Sequence, residues 1–429
     1  MAKLSKINSG DLIEITTANK IFIGLFVPCP NSKILLLKLQ NGYNLGIDKK
    51  EIKKVKLIKT HEKKITAKKR IAKRIDLPAI ALLHTGGTIA SRVDYITGGV
   101  FSKFEPDDLL EFYPELQELA DIKNYIVFQM LSEDMEPKHW SVLAEKIAKI
   151  SSKVKGVIVT HGTDTMAYTA AALSFMLKNI NIPVLLVGAQ RSPDRGSSDA
   201  PLNLLSAVNF ILNAKFKGVA LCMHGSTSDE YCLVHNGVNV KKMDTSRRNT
   251  FRSINALPIA KIWYDGKIEV LHELKKALGE FSLKNKFEKR IAIVKIRPGF
   301  DYKELNAYKN YKGLVIEGTG MGHAPINVVD KYTRHHNQLL KALEKMAKKM
   351  VIAMTSQCPY GNVHMDVYST GITLQKIGII PTKMLAEVAY VKLGWLLGNF
   401  KDVNKVKQLM QENLCGEIVE RILPETFLQ

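Results

Sequence analysis

At residues 82–91 the sequence reads LLHTGGTIAS, where an apolar run ends in a polar loop with two adjacent glycines. A short apolar run of this kind predicts a buried strand of a parallel sheet. Gly86 and Gly87 allow the backbone to turn sharply and to approach a ligand closely. Open α/β sheets place their sites beyond the carboxyl ends of the strands. The pattern predicts either an ordinary turn or a ligand-binding loop that presents Thr85.

The length and composition of the chain favour two or three domains with a large core. No apolar run in the 429 residues is long enough to span a bilayer, and the first residues lack the apolar segment of a signal peptide. The five cysteines are scattered and show no metal-ligand spacing. We therefore expect a cytoplasmic protein with no membrane partner and no metal.

Positive charge is concentrated in one short segment. Residues 49–74 contain thirteen Lys/Arg and two Glu, so they supply over half of the formal net charge of +21. A field of this sign attracts anionic partners such as RNA. A solvated linker, or the lysine-rich composition of a thermophile, would produce the same count.

The patterns along the chain predict three domains. Four short strand patterns, at residues 11–15, 20–27, 32–38 and 43–47, are separated by Asn, Gly, Pro and Asp and predict a small all-β, barrel-like domain over residues 1–60. A basic linker is expected over 61–74. Strands that alternate with helices predict a large α/β domain over 75–266, a linker over 267–290 and a smaller α/β domain over 291–429. Both α/β domains are expected to contain parallel sheets.

The larger α/β domain has clear strand and helix patterns. Strands are expected at Ala79–Leu83, Tyr125–Met130, Gly156–Thr160, Val184–Val187 and Gly218–Met223. Helices are expected at Pro106–Leu119, Lys138–Ile150 and Asp164–Leu177.

A second strand, VIVT, ends in the loop HGTDTM at residues 161–166. Thr163 and Asp164 are expected at the N-terminus of the following helix. The backbone N–H groups and the helix dipole at such an end favour an anion or a developing oxyanion. An ordinary helix cap is the alternative interpretation.

Two further stretches carry polar groups. Ser132 and Glu133 follow a predicted strand and form either a site for a polar substrate or a plain polar loop. Lys241 and Lys242 are either solvated lysines or, if one lies near Asp164, part of a proton relay.

The glycine-rich stretch EGTGMGHAP at residues 317–325 lacks the Gly-Lys-Ser/Thr ending of a nucleotide P-loop, and its glycine spacing does not match the dinucleotide fingerprint. We therefore expect no ATP and no other cofactor in this chain.

Taken in order, the stretches HTGGTIAS, VTHGTDTM, VGAQRSPDRGSSDAPLN and VKKMDTSRRNTF resemble the L-asparaginase/glutaminase amidohydrolase family. The resemblance runs from about residue 78 to the end, and it implies a large α/β domain, a linker and a smaller α/β domain. The N-terminal β region, the basic linker and the stretches SEDM, SRVDYITGGV and VIEGTGMGHAP resemble one branch in particular. That branch supplies the glutaminase subunits of archaeal glutamyl-tRNA(Gln) amidotransferases.

The resemblance implies roles for the catalytic residues. Thr85 matches the first family threonine, a nucleophile toward the carboxamide, and Thr163 with Asp164 matches the second Thr-Asp pair. Lys242 matches the family lysine because it stands nine residues before Phe251. Lys241 is the fallback for that position.

The remaining positions concern nucleophile activation and substrate binding. Tyr95 matches the tyrosine that activates the first threonine, although the loop here is shorter than in bacterial asparaginases. Ser132 and Glu133 match positions that hold the α-amino and α-carboxylate ends of the substrate, and Gly86 and Gly162 belong to the same binding loops. The carboxylate of Glu133 is a departure from the asparaginase pattern. It is expected to repel the substrate carboxylate and to attract the substrate ammonium.

The function implied is a glutaminase that releases ammonia from glutamine. A partner, the E subunit of the amidotransferase, would bind ATP, Mg²⁺ and most of the Glu-tRNA(Gln), and would convert it to Gln-tRNA(Gln). A homodimer within a two-plus-two heterotetramer is the implied assembly. Two alternatives stay open from sequence: a free-standing cytoplasmic L-asparaginase, and a tRNA-binding scaffold with a vestigial site.

Overall fold

The computed structural model describes residues 7–8, 10–27, 29, 31, 33–39, 44–60, 77–90, 92–93, 100–101, 113–193, 197–272 and 279–427. The predicted basic linker at 61–74 and Tyr95 lie outside these ranges. The first half of the helix predicted at Pro106–Leu119, residues 106–112, also lies outside them.

The N-terminal part of the chain is an antiparallel sheet. Its strands are β1 (Leu12–Thr16), β2 (Ile21–Val27), β3 (Ile34–Lys38), β4 (Asn44–Asp48) and β5 (Lys54–Lys59). The order β4-β3-β2-β1-β5 places β4 and β5 at the two edges. Because successive strand residues point to opposite faces, every second apolar side chain enters a small core. That core contains Ile13, Ile15, Leu35, Leu37 and Ile47. The predicted all-β fold is confirmed, and β5 is a strand that the sequence patterns did not include.

The rest of the chain contains eighteen strands in the described ranges. They are β6 (Ala79–Gly86), β7 (Arg92–Val93), β8 (Val100–Phe101), β9 (Asp121–Met130), β10 (Gly156–Thr160), β11 (Leu177–Lys178), β12 (Pro183–Val187), β13 (Gly218–His224), β14 (Tyr231–Asn236), β15 (Val240–Lys242), β16 (Phe251–Ser253), β17 (Ala260–Trp263), β18 (Ile268–Val270), β19 (Ser282–Leu283), β20 (Ile291–Lys295), β21 (Gly313–Gly318), β22 (Val351–Ser356) and β23 (Ile380–Pro381).

The described ranges contain eight α-helices, and the first three overlap the helices predicted at Pro106–Leu119, Lys138–Ile150 and Asp164–Leu177. They are α1 (Glu115–Leu119), α2 (Pro137–Ile150), α3 (Met166–Met176), α4 (Ala200–Asn213), α5 (His336–Ala347), α6 (Ser369–Lys376), α7 (Ala386–Asn399) and α8 (Val403–Gln411). In α2 the buried side chains Trp140, Leu143 and Ile147 recur at helical spacing and face the sheet. The apolar side chains on one side of α2 therefore both favour the helix and pack it against the large sheet.

The large sheet has the strand order β18-β17-β14-β13-β12-β10-β6-β9. Pairing is parallel from β13 to β9 and antiparallel from β13 outward to β18. The parallel prediction therefore holds for the centre of the sheet, while its far edge is antiparallel. Ile268–Val270 extends that edge into the stretch expected to be a linker, because its backbone pairs with Ala260–Ile262.

Both faces of the large sheet are buried. In β6, Ala81 and Leu83 enter one core cluster, and Ile80 and Leu82 enter the cluster on the opposite face. The first cluster continues into the C-terminal sheet and α7, so one core joins the two α/β regions. Continuous apolar strands are typical of a parallel sheet covered on both sides.

The C-terminal sheet is β20-β21-β22-β23, and all of its pairs are parallel. A further core cluster, which includes Leu314, Ile352 and Leu343 of α5, lies on one face. The two α/β regions and the N-terminal sheet confirm the predicted fold class. The domain limits given above stay a prediction.

No described helix is both long and apolar enough to cross a bilayer. Within the ranges given above, no group of three His, Cys, Asp or Glu side chains is arranged to hold a metal ion.

Candidate active site

Three strand ends meet at the proposed site. Gly86 and Gly87 follow Thr85 in left-handed conformations, with φ of 106° and 76°. A Cβ on Gly86 would lie 2.2 Å from the Met130 carbonyl oxygen, and one on Gly87 would lie 2.3 Å from the Gly162 nitrogen. Only glycine allows this backbone contact. The two glycines therefore bring together the loops after β6, β9 and β10.

Thr85 lies at the base of this junction. Its side chain is buried, and its hydroxyl donates a hydrogen bond to the Thr160 carbonyl oxygen at 2.7 Å. The neighbouring strands β6 and β10 are parallel and in register, with His84 opposite Thr160, which puts both strand ends at one edge of the sheet. Tyr95, the predicted activator of Thr85, is not among the described residues.

Thr163, Asp164 and Lys242 meet in one cluster. The Lys242 ammonium donates to Thr163 Oγ1 at 2.8 Å and to Asp164 Oδ1 at 2.6 Å. Thr163 is buried, the Lys242 side chain is 14% exposed, and the Asp164 side chain is 67% exposed. The lysine comes from β15, more than seventy residues further along the chain. A hydroxyl, an amine and a carboxylate thus lie within hydrogen-bond contact, as a proton relay requires.

The two candidate lysines point to different partners. Lys241 forms an ion pair with Glu387 of α7, whereas Lys242 reaches Thr163. The structure therefore places the first-choice lysine, and not its fallback, beside the Thr-Asp pair.

Ser132 lies directly beside the Thr163 loop. It is buried in a 3₁₀ turn, Ser132–Asp134, that follows β9. A Cβ on Gly162 would lie 2.7 Å from Ser132 Cβ, and the Thr165 hydroxyl donates to the Ser132 carbonyl at 2.7 Å. Glu133 follows on the same turn and is exposed. The two predicted substrate-binding positions therefore adjoin the cluster.

A buried relay behind the loop was not predicted. Trp140 Nε1 donates to Thr169 Oγ1 at 3.0 Å, and Thr169 Oγ1 contacts His161 Nε2 at 2.9 Å. His161 Nδ1 lies 2.7 Å from the Gly162 carbonyl, which can only accept, so Nδ1 carries the proton and Nε2 accepts from Thr169. Burial lowers the pKa of His161 to about 4, which keeps the ring neutral at pH 7.

This relay fixes the backbone of Gly162, next to Thr163. The sequence shows His161 before Gly-Thr-Asp, but Thr169 and Trp140 come from helices α3 and α2, and only the folded chain brings the three side chains together. The signal in the sequence was Thr169, a polar residue in the mostly apolar helix α3 that needs a buried hydrogen-bond partner.

Comparisons with known proteins agree with this arrangement. Residues 79–276 match the family described as asparaginase, N-terminal, residues 290–410 match the glutaminase/asparaginase C-terminal domain, and residues 7–58 match the GatD N-terminal domain. The glutamyl-tRNA(Gln) amidotransferase D subunit of Pyrococcus furiosus is 44% identical over 99% of this chain and 96% of that protein. The corresponding D subunit of Methanococcus maripaludis is 41% identical over 96% of this chain and 98% of that protein.

Solved structures give the same fold. The thermostable L-asparaginase from Thermococcus kodakarensis has a TM-score of 0.72 and 30% identity, and covers 80% of this chain and all of that chain. L-asparaginase I from Vibrio cholerae has a TM-score of 0.70 and 28% identity, and covers 80% of this chain and 99% of that chain.

Proposed function

The chain belongs to the family of glutamyl-tRNA(Gln) amidotransferase D subunits, and from this premise we propose how its residues carry out the glutaminase role. The family is an asparaginase/glutaminase amidohydrolase with an added N-terminal domain, which confirms the predicted enzyme class. The contact of Lys242 with both Thr163 and Asp164 is the observation that carries the proposal.

We assign Lys242 as the base of the reaction. In its neutral form the amine accepts the Thr163 hydroxyl proton, and the Asp164 carboxylate stabilises the ammonium that results. The threonine oxygen, or a water that it deprotonates, then attacks the glutamine carboxamide carbon. The nearby N-terminus of α3 favours the negative charge that develops on the carbonyl oxygen. Lys242 returns its proton to the leaving nitrogen, and ammonia departs. If the threonine oxygen attacked, a water then hydrolyses the resulting ester, which releases glutamate and restores the threonine hydroxyl; if water attacked, glutamate forms directly.

Thr85 is the second proposed nucleophile. Its hydroxyl must release the Thr160 carbonyl before it can attack, which gives Tyr95 a role as its activator. Ser132 and Glu133 are proposed to bind the amino-acid end of glutamine, with Glu133 selecting its ammonium. Gly86 and Gly162 are proposed to let the substrate approach the backbone.

The proposal also covers the complex in which this chain acts. Membership of the family implies a second kind of subunit, and we propose that this E subunit binds ATP, Mg²⁺ and most of the Glu-tRNA(Gln) in the cytoplasm. Two copies of each protein would form the complex, with this chain as the central homodimer. A free-standing asparaginase receives less support, since both full-length relatives described above are amidotransferase subunits.

The test measures glutamine and asparagine hydrolysis by the chain alone and by its complex with the E subunit, with and without Glu-tRNA(Gln). Lys242→Met should lower kcat by about 10²- to 10⁴-fold, the usual contribution of a general base. Lys348→Met is the matched control, because Lys348 is an exposed lysine of the C-terminal region. Full activity of Lys242→Met would remove the proposed base, and asparagine turnover above that of glutamine would favour the free-standing asparaginase.

A further inference from the structure

The strand that supplies Lys242 belongs to a short hairpin. β15 and β16 contain three residues each and pair Val240 with Ser253, Lys241 with Arg252, and Lys242 with Phe251. One backbone hydrogen bond continues the hairpin at each end, from Met243 N to Thr250 O at 2.8 Å and from Ile254 N to Asn239 O at 2.7 Å. Adjacent strand residues point to opposite sides, so a slip of one residue would exchange the two lysines. A side-chain contact of either lysine would therefore add to the hairpin bonds in fixing which lysine faces Thr163.

Lys241 supplies that contact. Its ammonium forms an ion pair with Oε1 of Glu387, and the two side chains are 28% and 19% exposed. Glu387 lies in the first turn of α7, a helix of the C-terminal region. The catalytic hairpin is thus tied to a helix outside the large sheet.

The helix α7 is itself fixed relative to the Thr163 loop. It packs on α3, which begins directly after that loop, through Tyr390 against Tyr168 and Trp395 stacked on Phe175 at ring-centroid distances of 6.3 and 5.6 Å. This packing fixes the position of Glu387 relative to the Thr163 loop, and Glu387 in turn positions Lys241.

Glu387 lies beside a second carboxylate. Its second oxygen, Oε2, is buried and has no hydrogen-bond partner among the described residues. The carboxylate of Glu317 faces the same region, and burial together with the charge of Glu387 raises the pKa of Glu317. Lys241 and Lys295 both supply positive charge to Glu317, and Lys241 is the lysine that forms the direct ion pair with Glu387.

We infer that Glu387 is a positioning residue for the glutaminase reaction, which by pairing with Lys241 fixes the register of β15 so that Lys242 reaches Thr163. The inference rests on the proposed function of Lys242. It also couples the C-terminal region to the catalytic lysine, because a displacement of α7 would move the hairpin.

The test measures steady-state glutaminase kinetics of the complex with the E subunit for Glu387→Gln, Lys241→Gln and the double variant. Misplacement of a catalytic group by about 1 Å costs up to about 10²-fold, so each single variant should lower kcat by about 10- to 100-fold. KM should change by less than about threefold, since neither residue contacts the amino-acid end of glutamine. The double variant should be no worse than either single variant, because both remove one contact.

Two further variants distinguish loss of the Lys241–Glu387 ion pair from loss of folding. Glu344→Gln removes the exposed pair with Lys348 in α5 and should leave kcat unchanged. The exchange Lys241→Glu with Glu387→Lys restores an ion pair of opposite polarity and should recover most of kcat, which a loss of folding alone would not predict. Folded single variants with wild-type kcat, or additive losses in the double variant, would overturn the inference. If Lys242→Met stays active, the proposed function fails instead.

Discussion

Replacement of Thr169 by valine tests whether the buried relay stabilises the active-site loop. Valine keeps the shape of the side chain and removes the hydroxyl that contacts Trp140 and His161. All three side chains are almost completely buried, so water cannot replace the lost partner. An indole N–H and an imidazole nitrogen are then left unpaired, at about 1–3 kcal/mol each. We expect the free energy of unfolding to fall by about 2–6 kcal/mol.

The measurement is urea-induced unfolding followed by tryptophan fluorescence, with glutaminase activity read in parallel. Thr373→Val is the matched control, since its hydroxyl donates only to the Ser369 carbonyl one turn earlier in α6 and its side chain is half-buried. That control should stay within about 0.5 kcal/mol of the wild type. Thr169→Ser restores the hydroxyl and should recover stability. A Thr169→Val midpoint equal to that of the wild type would refute the relay.

Three other perturbations follow from buried groups. Burial lowers the pKa of His84 and His161 to about 4 and that of His235 to about 3. The contribution of these neutral rings to stability is complete above pH 6.5 and is lost as the pH falls toward these values. Melting temperatures measured from pH 6.5 to 4.5 should therefore fall steadily, and a flat profile would contradict the neutral rings. Gly162→Ala should lower kcat at least about tenfold, because the new Cβ would lie 2.7 Å from Ser132 Cβ and shift the loop; wild-type kcat would count against the tight contact. Glu417→Gln breaks a fully buried ion pair with Lys392, whose N–O distance is 2.6 Å, and should cost about 3–5 kcal/mol in thermal unfolding; an unchanged melting curve would show that the pair contributes nothing.

The strand patterns of the sequence locate most of the parallel core. β10 begins and ends at the predicted residues, Gly156 and Thr160, because its apolar residues 157–159 lie between a glycine and the polar loop that follows Thr160. Helix α3 starts two residues later than expected, at Met166, since Thr163 and Asp164 turn toward Lys242 before the first helical turn. Such shifts arise because side-chain contacts from distant strands compete with local helix propensity.

The linker prediction at 267–290 shows the same competition. Its charged, irregular composition favoured an interdomain linker, yet Ile268–Val270 pairs with β17 and completes the large sheet. An edge strand needs only one neighbour and few buried side chains, so its local pattern is weak. The N-terminal strand β5, rich in lysine and also at an edge, was missing from the prediction for the same reason.

The sequence by itself determined the family, the fold class and the residue types of the site, because strands that end in Gly-Thr loops are local features with a fixed order. Only the tertiary structure decided that Lys242 meets Thr163 while Lys241 meets Glu387. It also decided that Thr85 donates to Thr160 and that His161 depends on Thr169. Most of these contacts join residues separated by more than seventy positions, and the direction of a strand side chain depends on a register that only the packed sheet fixes.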